Sequence, residues 1–265
     1  MNQQGTRQSL ALWIWPVILI LAGSLLLLQN YLLLDFDVRQ LWPLLIIFLG
    51  LQAILSGGLS LTRAGQTFGI TRGSVESGTL RLNSGELDLR IQLLQREGRL
   101  IAGQYTARSR PQLDAEGNRA VLTMLRSRTW LLSLADWDLG LAGDLPWNLL
   151  LSSYLGQIDL DLRGLIIDCA QVSTGIGDLR VLAPDSPAGP ITLQSTLGDI
   201  YLTVPPEMPA AVTVLAGPLF DVHLQDDRWQ PDGERRYVTP DYAGAIEPLE
   251  FTIHGTTGGL YLSQG

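Results

Sequence analysis

The first fifty residues carry one apolar segment twice. Trp15-Pro16-Val17-Ile18-Leu19-Ile20-Leu21-Ala22-Gly23 returns as Trp42-Pro43-Leu44-Leu45-Ile46-Ile47-Phe48-Leu49-Gly50, with Trp, Pro and Gly in matching places 27 residues apart. No charge stands between Arg7 and Asp35, or between Arg39 and Arg63. A helix crosses a bilayer with about 20 apolar residues. Spans of about 10–30 and 41–61 supply them, the second only by running through Gly57-Gly58 towards Leu61. The repeat predicts a two-helix transmembrane anchor over 1–62, with an interfacial or re-entrant second segment as the rival. A polar remainder of about 190 residues follows.

Each Pro opens its apolar run, where a first helical turn needs no donor and suits a fixed φ. Trp13, Trp15, Tyr31 and Trp42 lie near run ends, where rings favour the lipid interface. A cleaved signal peptide would need a short apolar core ending in small residues. Ala22-Gly23-Ser24 are small, but Leu25–Leu28 continue the run. All 18 basic residues are Arg. Arg7 precedes the first span and Arg63 and Arg72 follow the second, while the loop holds Arg39 beside Asp35 and Asp37. The positive-inside rule then places both termini and the large domain in the cytoplasm. The single Cys169 permits no disulfide within the chain, which agrees with that side of the membrane.

Past a linker at 63–72, a short unit recurs: Gly, any residue, then apolar and polar residues in alternation. It reads Gly85-Glu86-Leu87-Asp88-Leu89, Gly156-Gln157-Ile158-Asp159-Leu160, Gly177-Asp178-Leu179-Arg180-Val181, Gly198-Asp199-Ile200-Tyr201-Leu202 and Gly258-Gly259-Leu260-Tyr261-Leu262. Alternation marks a strand with one buried face. Gly156, Gly177 and Gly198 stand 21 residues apart, with second strands near Ile166–Val172, Ile191–Ser195 and Ala211–Leu215. Such a period predicts stacked β-coils that complete one another's core. The fold expected is an all-β domain: an N-terminal β part over 73–136 and a β-solenoid over 137–265. An antiparallel sandwich is the rival. Gly85, Gly156, Gly177, Gly198 and Gly258 are expected to turn the corners, and Leu160, Leu179 and Ile200 to stack in one core.

Charge divides the domain. Positions 92–132 hold seven Arg against three acids, a net of +4, while 133–265 hold five Arg against eighteen acids, a net of −13. An Arg-rich stretch beside an anchor suits anionic lipid. The acidic remainder argues against nucleic acid. Trp130, Trp137 and Trp147 read as core, with a partner-binding aromatic patch as the alternative.

Few residues suggest chemistry. His223 and His254 sit in strand-like alternation, with no further ligands at useful spacing. Asp159 and Asp161 have the spacing of a carboxylate pair, but alternation puts both on an outer face, with Glu86 and Asp88 expected at equivalent places and Arg180 as a cross-strand partner. Ser173 and Ser195 sit at matching repeat places and read as turn residues, without the ending of a phosphate loop. No catalytic, cofactor-binding or metal-ligating set is expected.

The double Trp-Pro-apolar-Gly hairpin resembles the transmembrane region of LiaF-like cell-envelope-stress proteins. The downstream units resemble the β domain of that family, through Gly85–Leu89, Leu155–Leu162, Ser195–Ile200, Val204-Pro205 and the tail Tyr237-Val238-Thr239-Pro240-Asp241-Tyr242. Better-known members of that family restrain a sensor histidine kinase, and the resemblance implies a bacterial, non-enzymatic regulator whose partner is another membrane protein, such as a kinase of that kind. The partners expected are membrane lipid and a membrane protein, with homo-oligomers open. Two other readings stand beside it: a surface adhesin-like solenoid, and a membrane-bound enzyme with a carboxylate site at Asp159 and Asp161.

Overall fold

The computed structural model describes residues 66–265 except 87, 96–97, 106–111, 117 and 126–135. The anchor motif Trp15, Pro16, Gly23, Trp42, Pro43 and Gly50 lies outside the described residues, as do Trp130 and the Arg-rich stretches around 108 and 126. Among the described residues no helix is long and apolar enough to cross a membrane. They form an all-β domain with one 3-10 turn, Tyr242–Gly244.

The chain first lays down β1 (Gln66–Thr71), β2 (Ser77–Asn83), β3 (Asp88–Leu93), β4 (Arg99–Tyr105), β5 (Gln112–Glu116), β6 (Arg119–Leu125) and β7 (Asp136–Leu141). The regular middle holds β8 (Pro146–Leu155), β9 (Ile158–Asp161), β10 (Ile166–Ile176), β11 (Leu179–Leu182), β12 (Ile191–Leu197) and β13 (Ile200–Val204). It closes with β14 (Ala210–Leu224), β15 (Gln230–Pro231), β16 (Arg236–Val238) and β17 (Leu249–Gln264).

These strands build two ladders that meet along a corner. The first runs β5–β6–β2–β8–β10–β12–β17–β14–β16–β15, parallel from β6 to β14. The second runs β1–β4–β7–β3–β9–β11–β13–β17–β14, parallel from β7 onward. The long strands β14 and β17 pass the corner and serve both. Parallel neighbours one coil apart make this a solenoid-like stack rather than an antiparallel sandwich.

Alternation becomes burial through register. In the first ladder Leu122, Leu80, Leu149, Ala170, Ile191, Phe251 and Val212 form one inward row. Met124, Leu82, Leu151, Val172, Leu193, Ile253 and Val214 form the next, and both rows are buried. In the second ladder Ile158, Leu179, Ile200 and Leu260 are aligned, and beside them Leu160, Val181, Leu202 and Leu262. Leu160 is thus buried as expected, but in the row next to Leu179 and Ile200.

Two parts of the expected layout differ in the structure. Residues 66–71, read as linker, form β1, because Phe68 and Ile70 pack on the core while the strand pairs with β4. Nor does the fold break near 136: β6 and β7 make a coil stacked on β2 and β3, which stack in turn on β8 and β9.

Candidate interaction surfaces

The corner explains the recurring glycine. Gly156, Gly177, Gly198 and Gly258 have φ of 138°, 139°, 144° and 129° and lie one above another. A Cβ on Gly177 would run into the carbonyl oxygen of Gly156, and the same clash recurs from Gly198 to Gly177 and from Gly258 to Gly198. Both the backbone angle and the close approach therefore demand glycine. Gly85 lies off this stack. Its φ is 64°, and its carbonyl accepts the amides of Tyr154 and Leu155.

The residue after each corner has a job as well. The Asp178 carboxylate accepts the Asp199 amide at 3.1 Å, and that of Asp199 accepts the Gly259 amide at 2.8 Å. Asp88 does the same for the Gln157 amide at 2.7 Å. A carboxylate ladder thus pairs amides that the turning backbone leaves without a strand partner. On the inner side, Ser84, Ser153, Thr174 and Ser195 are buried. Thr174 and Ser195 donate to the corner carbonyls of Gly156 and Gly198. Thr174, not Ser173, is the register partner of Ser195. The Thr174 and Ser195 hydroxyls support turns, whereas the buried Ser153 hydroxyl has no hydrogen-bond partner among the described residues.

One outer row crosses the whole second ladder: Thr67, Gln104, Asp138, Arg90, Asp159, Arg180, Tyr201, Tyr261 and His223. Its first part is charged. Asp159 lies 3.6 Å from Arg90 and accepts from Gln157 at 2.7 Å. Arg180, the expected partner of Asp159, instead covers the Tyr201 ring at 5.6 Å. Its last part is aromatic. Tyr201 stacks on Tyr261 at 4.9 Å between centroids, and Tyr261 on His223 at 4.7 Å. Stacking covers both faces of the Tyr261 ring and one face of His223, and Tyr201 lies between Tyr261 and the Arg180 guanidinium. Burial, reinforced by the nearby Asp199 charge, raises the Tyr201 hydroxyl above its ordinary range.

The carboxylate pair does not converge on a site. Asp161 takes two hydrogen bonds from the Arg163 side chain, at 2.8 and 2.6 Å. These bonds hold its carboxyl below the usual range, against the opposing effect of burial. Glu86 is offset from Asp159, because Leu89 rather than Leu87 pairs with Ile158. An open depression of ≈ 370 Å³ lies between Ile166, Asp168, Pro187, Glu247 and Pro248, and neither Asp159 nor Asp161 lines it. His223 sits on the outer face of the second ladder. His254 and Cys169 belong to the first. Among the described residues no three His, Cys, Asp or Glu side chains gather to hold a metal. Trp137 and Trp147 are core residues, and Trp147 donates to the Ala142 carbonyl at 2.8 Å.

What the surface does offer is apolar. Ile176 and Leu197 are in register at the corner, with Leu155 before them and Thr257 and Leu219 after. Leu197 is 51% exposed and Leu219 69%. This ridge escapes the sequence because Leu155, Ile176 and Leu197 fall just before a corner glycine, and Leu219 just after a register irregularity, where strand alternation no longer assigns a face.

Comparison with known proteins bears on these surfaces. No curated protein matches the sequence. In structure the chain is similar to a candidate cell adhesion protein from Clostridium sporogenes ATCC 15579, with TM-score 0.69 and 16% identity over 77% of this chain and 100% of that one. A candidate adhesin from Bacteroides fragilis NCTC 9343 aligns at TM-score 0.27 and 9% identity, over 76% of this chain and 98% of that one. The first likeness shows the all-β fold alone. Two family models match the sequence: the LiaI-LiaF-like transmembrane region over residues 13–54, which implies membrane association, and the N-terminal domain of toast_rack, DUF2154, over 62–198. With the second model spanning just over half of its length, the chain belongs to the toast_rack family and joins that β domain to a LiaI-LiaF-like membrane region.

Proposed function

We propose that this protein is a membrane-anchored, non-enzymatic regulator or scaffold of a cell-envelope-stress response, acting by contact with another membrane protein such as a sensor histidine kinase. The observation that carries this reading is the pairing of a LiaI-LiaF-like membrane region with a coil stack whose polar groups serve its own corners and rows. Two passes leave both termini and the β domain in the cytoplasm, following the Arg bias of the sequence. The anchor glycines Gly23 and Gly50 allow close helix packing in lipid, where small residues let backbones approach.

The test pairs co-purification from native membranes in mild detergent with a stress-response reporter. Gly23→Leu and Gly50→Leu should weaken partner recovery and change reporter output. Replacing His223, His254 and Cys169 together should leave both intact. The opposite pattern, in a folded protein, would mean that a metal or redox site has been overlooked.

A second reading is a surface adhesin-like protein, favoured by the likeness in fold to the clostridial candidate cell adhesion protein. A reporter fused after Gly265 separates the two. Activity confined to a cytoplasmic reporter supports the regulator, and activity of an extracytoplasmic one supports the adhesin.

A further inference from the structure

The last coil of the second ladder has an uncovered side. Strand β16 lies beside β14 only at Ala211–Thr213, and the Arg235 side chain donates to the Ala216 carbonyl. Beyond the corner, no strand among the described residues lies beside Leu219–Leu224 on the side away from β17. The Gln225 amide donates to the Leu262 carbonyl on β17. Successive residues of a strand turn their backbone groups to opposite sides. Asp221 and His223 therefore also serve β17, while Phe220, Val222 and Leu224 turn amide and carbonyl outward. The core rows end there too. Leu160, Val181, Leu202 and Leu262 are at most 2% exposed, whereas Leu224, next in that row, is 40% exposed. An edge with free donors, free acceptors and apolar side chains is a template for another strand.

We propose that this edge pairs with the same edge of a second copy of the chain, antiparallel, about a two-fold axis at Val222. Only outward groups can bond across such a contact, which leaves few registers. Centred on Val222, all of them are used: Phe220 faces the partner's Leu224, Val222 the partner's Val222, and Leu224 the partner's Phe220. The same register sets Asp221 against the partner's His223, and His223 against the partner's Asp221, on the exposed outer face. These are non-hydrogen-bonded positions, with Cα atoms about 4.5 Å apart, so each imidazole can donate to a carboxylate. Centring on Asp221 would set two aspartates together, and centring on His223 two imidazoles. Either would use only part of the outward set. Asp226 and Asp227 fall toward the partner's Pro218 and Gly217 rather than toward each other. On the inner side, the partly exposed Val222 and Leu224 of each copy extend the core rows of the other. A self-complementary contact of this kind closes at two copies. The proposal does not depend on the regulatory reading.

The test uses membranes from cells that co-express two differently tagged full-length copies, with Cys169→Ser as background. One copy carries Asp221→Cys and the other His223→Cys, and copper phenanthroline oxidises the thiols. The mixed pair should form a disulfide, because a non-hydrogen-bonded antiparallel pair suits its geometry. Neither like pair should, since its members stand on a diagonal, about 7–8 Å apart. Val222→Pro removes an outward amide and no bond to β17, and it should abolish the mixed disulfide. Leu224→Lys puts a charge into the shared apolar row and should lower the yield several-fold. Adding His223→Asp to the Asp221→Cys copy sets it against the Asp221 of the other and should also lower the yield. Adding Asp221→Arg to the His223→Cys copy should then restore it. Melting curves establish that each variant is folded, and where Val222→Pro is not, Leu224→Lys and the charge exchange decide. A like-pair disulfide as strong as the mixed one overturns the proposal. So does a mixed yield that the folded variants leave unchanged, or the absence of any disulfide in membranes that hold both copies.

Discussion

The middle of the stack and its two ends follow different rules. From β8 to β13 each coil lies beside the coil that precedes it in the chain, and the corner glycines keep a 21-residue interval. At the ends, space and sequence part. The β6–β7 coil lies outside β2–β3 although it comes later, and β17 slots between β12–β13 and β14, which precede it. A repeat shows in a sequence only where neighbours in space are neighbours in the chain. Where the chain skips a place and returns, the same coil geometry persists without the period.

This contrast can be broken most severely at β17, the strand that fills a gap left by its predecessors. Cutting the chain before Leu249 removes Leu249, Phe251, Ile253, Leu260 and Leu262, all buried. At about 1.5–3 kcal/mol per buried side chain, the loss rivals the whole stability of a domain, about 5–15 kcal/mol. No cooperative denaturant transition should survive, and a retained one would mean that β14 closes directly on β12 and β13.

Next come the core rows of the middle. Leu160→Asp, Leu179→Asp and Ile200→Asp each bury an unpaired charge and should cost several kcal/mol, on the order of 3–5. Across the strand, Asp159→Ala and Arg180→Ala should cost about 0.5 kcal/mol or less. Tyr201→Ala should cost more than either, because it ends the stack on Tyr261. Equal losses on both faces in chemical denaturation would show that the outer face is also covered.

The corner glycines sharpen the comparison. Gly177→Ala meets both the φ of 139° and the Gly156 carbonyl. Backbone strain alone is worth about 1–3 kcal/mol, and the clash adds to it. Gly85→Ala, at a φ of 64°, should cost only about 1–2 kcal/mol, the ordinary penalty of the left-handed region. If thermal unfolding ranks Gly85 above Gly177, the glycine stack is not what holds the corner. Below these stands Asp199→Ala, which strips the Gly259 amide of its acceptor and should cost about 1 kcal/mol.

The smallest effect depends on pH. Arg163 lowers the folded-state pKa of Asp161. Its contribution is therefore present above the ordinary carboxylate range and is lost as pH falls through the depressed folded value. Asp161→Asn should flatten the acid limb of stability slightly and change nothing near neutrality beyond the lost pair. A change confined to neutral pH would assign the effect to another group.

Alternation alone made the strands, their inner faces and the middle coils legible, because a strand with one buried face must repeat every two residues. That period is blind to a slip of two. Gly85, outside the even interval, could lie level with Gly156 or two residues before it, with every side chain still on its proper face. Hydrogen bonding decided it, since Leu89 pairs with Ile158, whereas the pairing of Leu160 with Val181 already follows from the 21-residue interval. The carboxylates after the corners were legible as polar residues, but their task was not, since an amide left over by a turn exists only once two coils are stacked. By itself the sequence determined the doubled apolar segment, the all-β character of the large domain and the coil interval. Only the tertiary structure decided which coils adjoin and where the chain doubles back, because those depend on contacts between residues that no local pattern links.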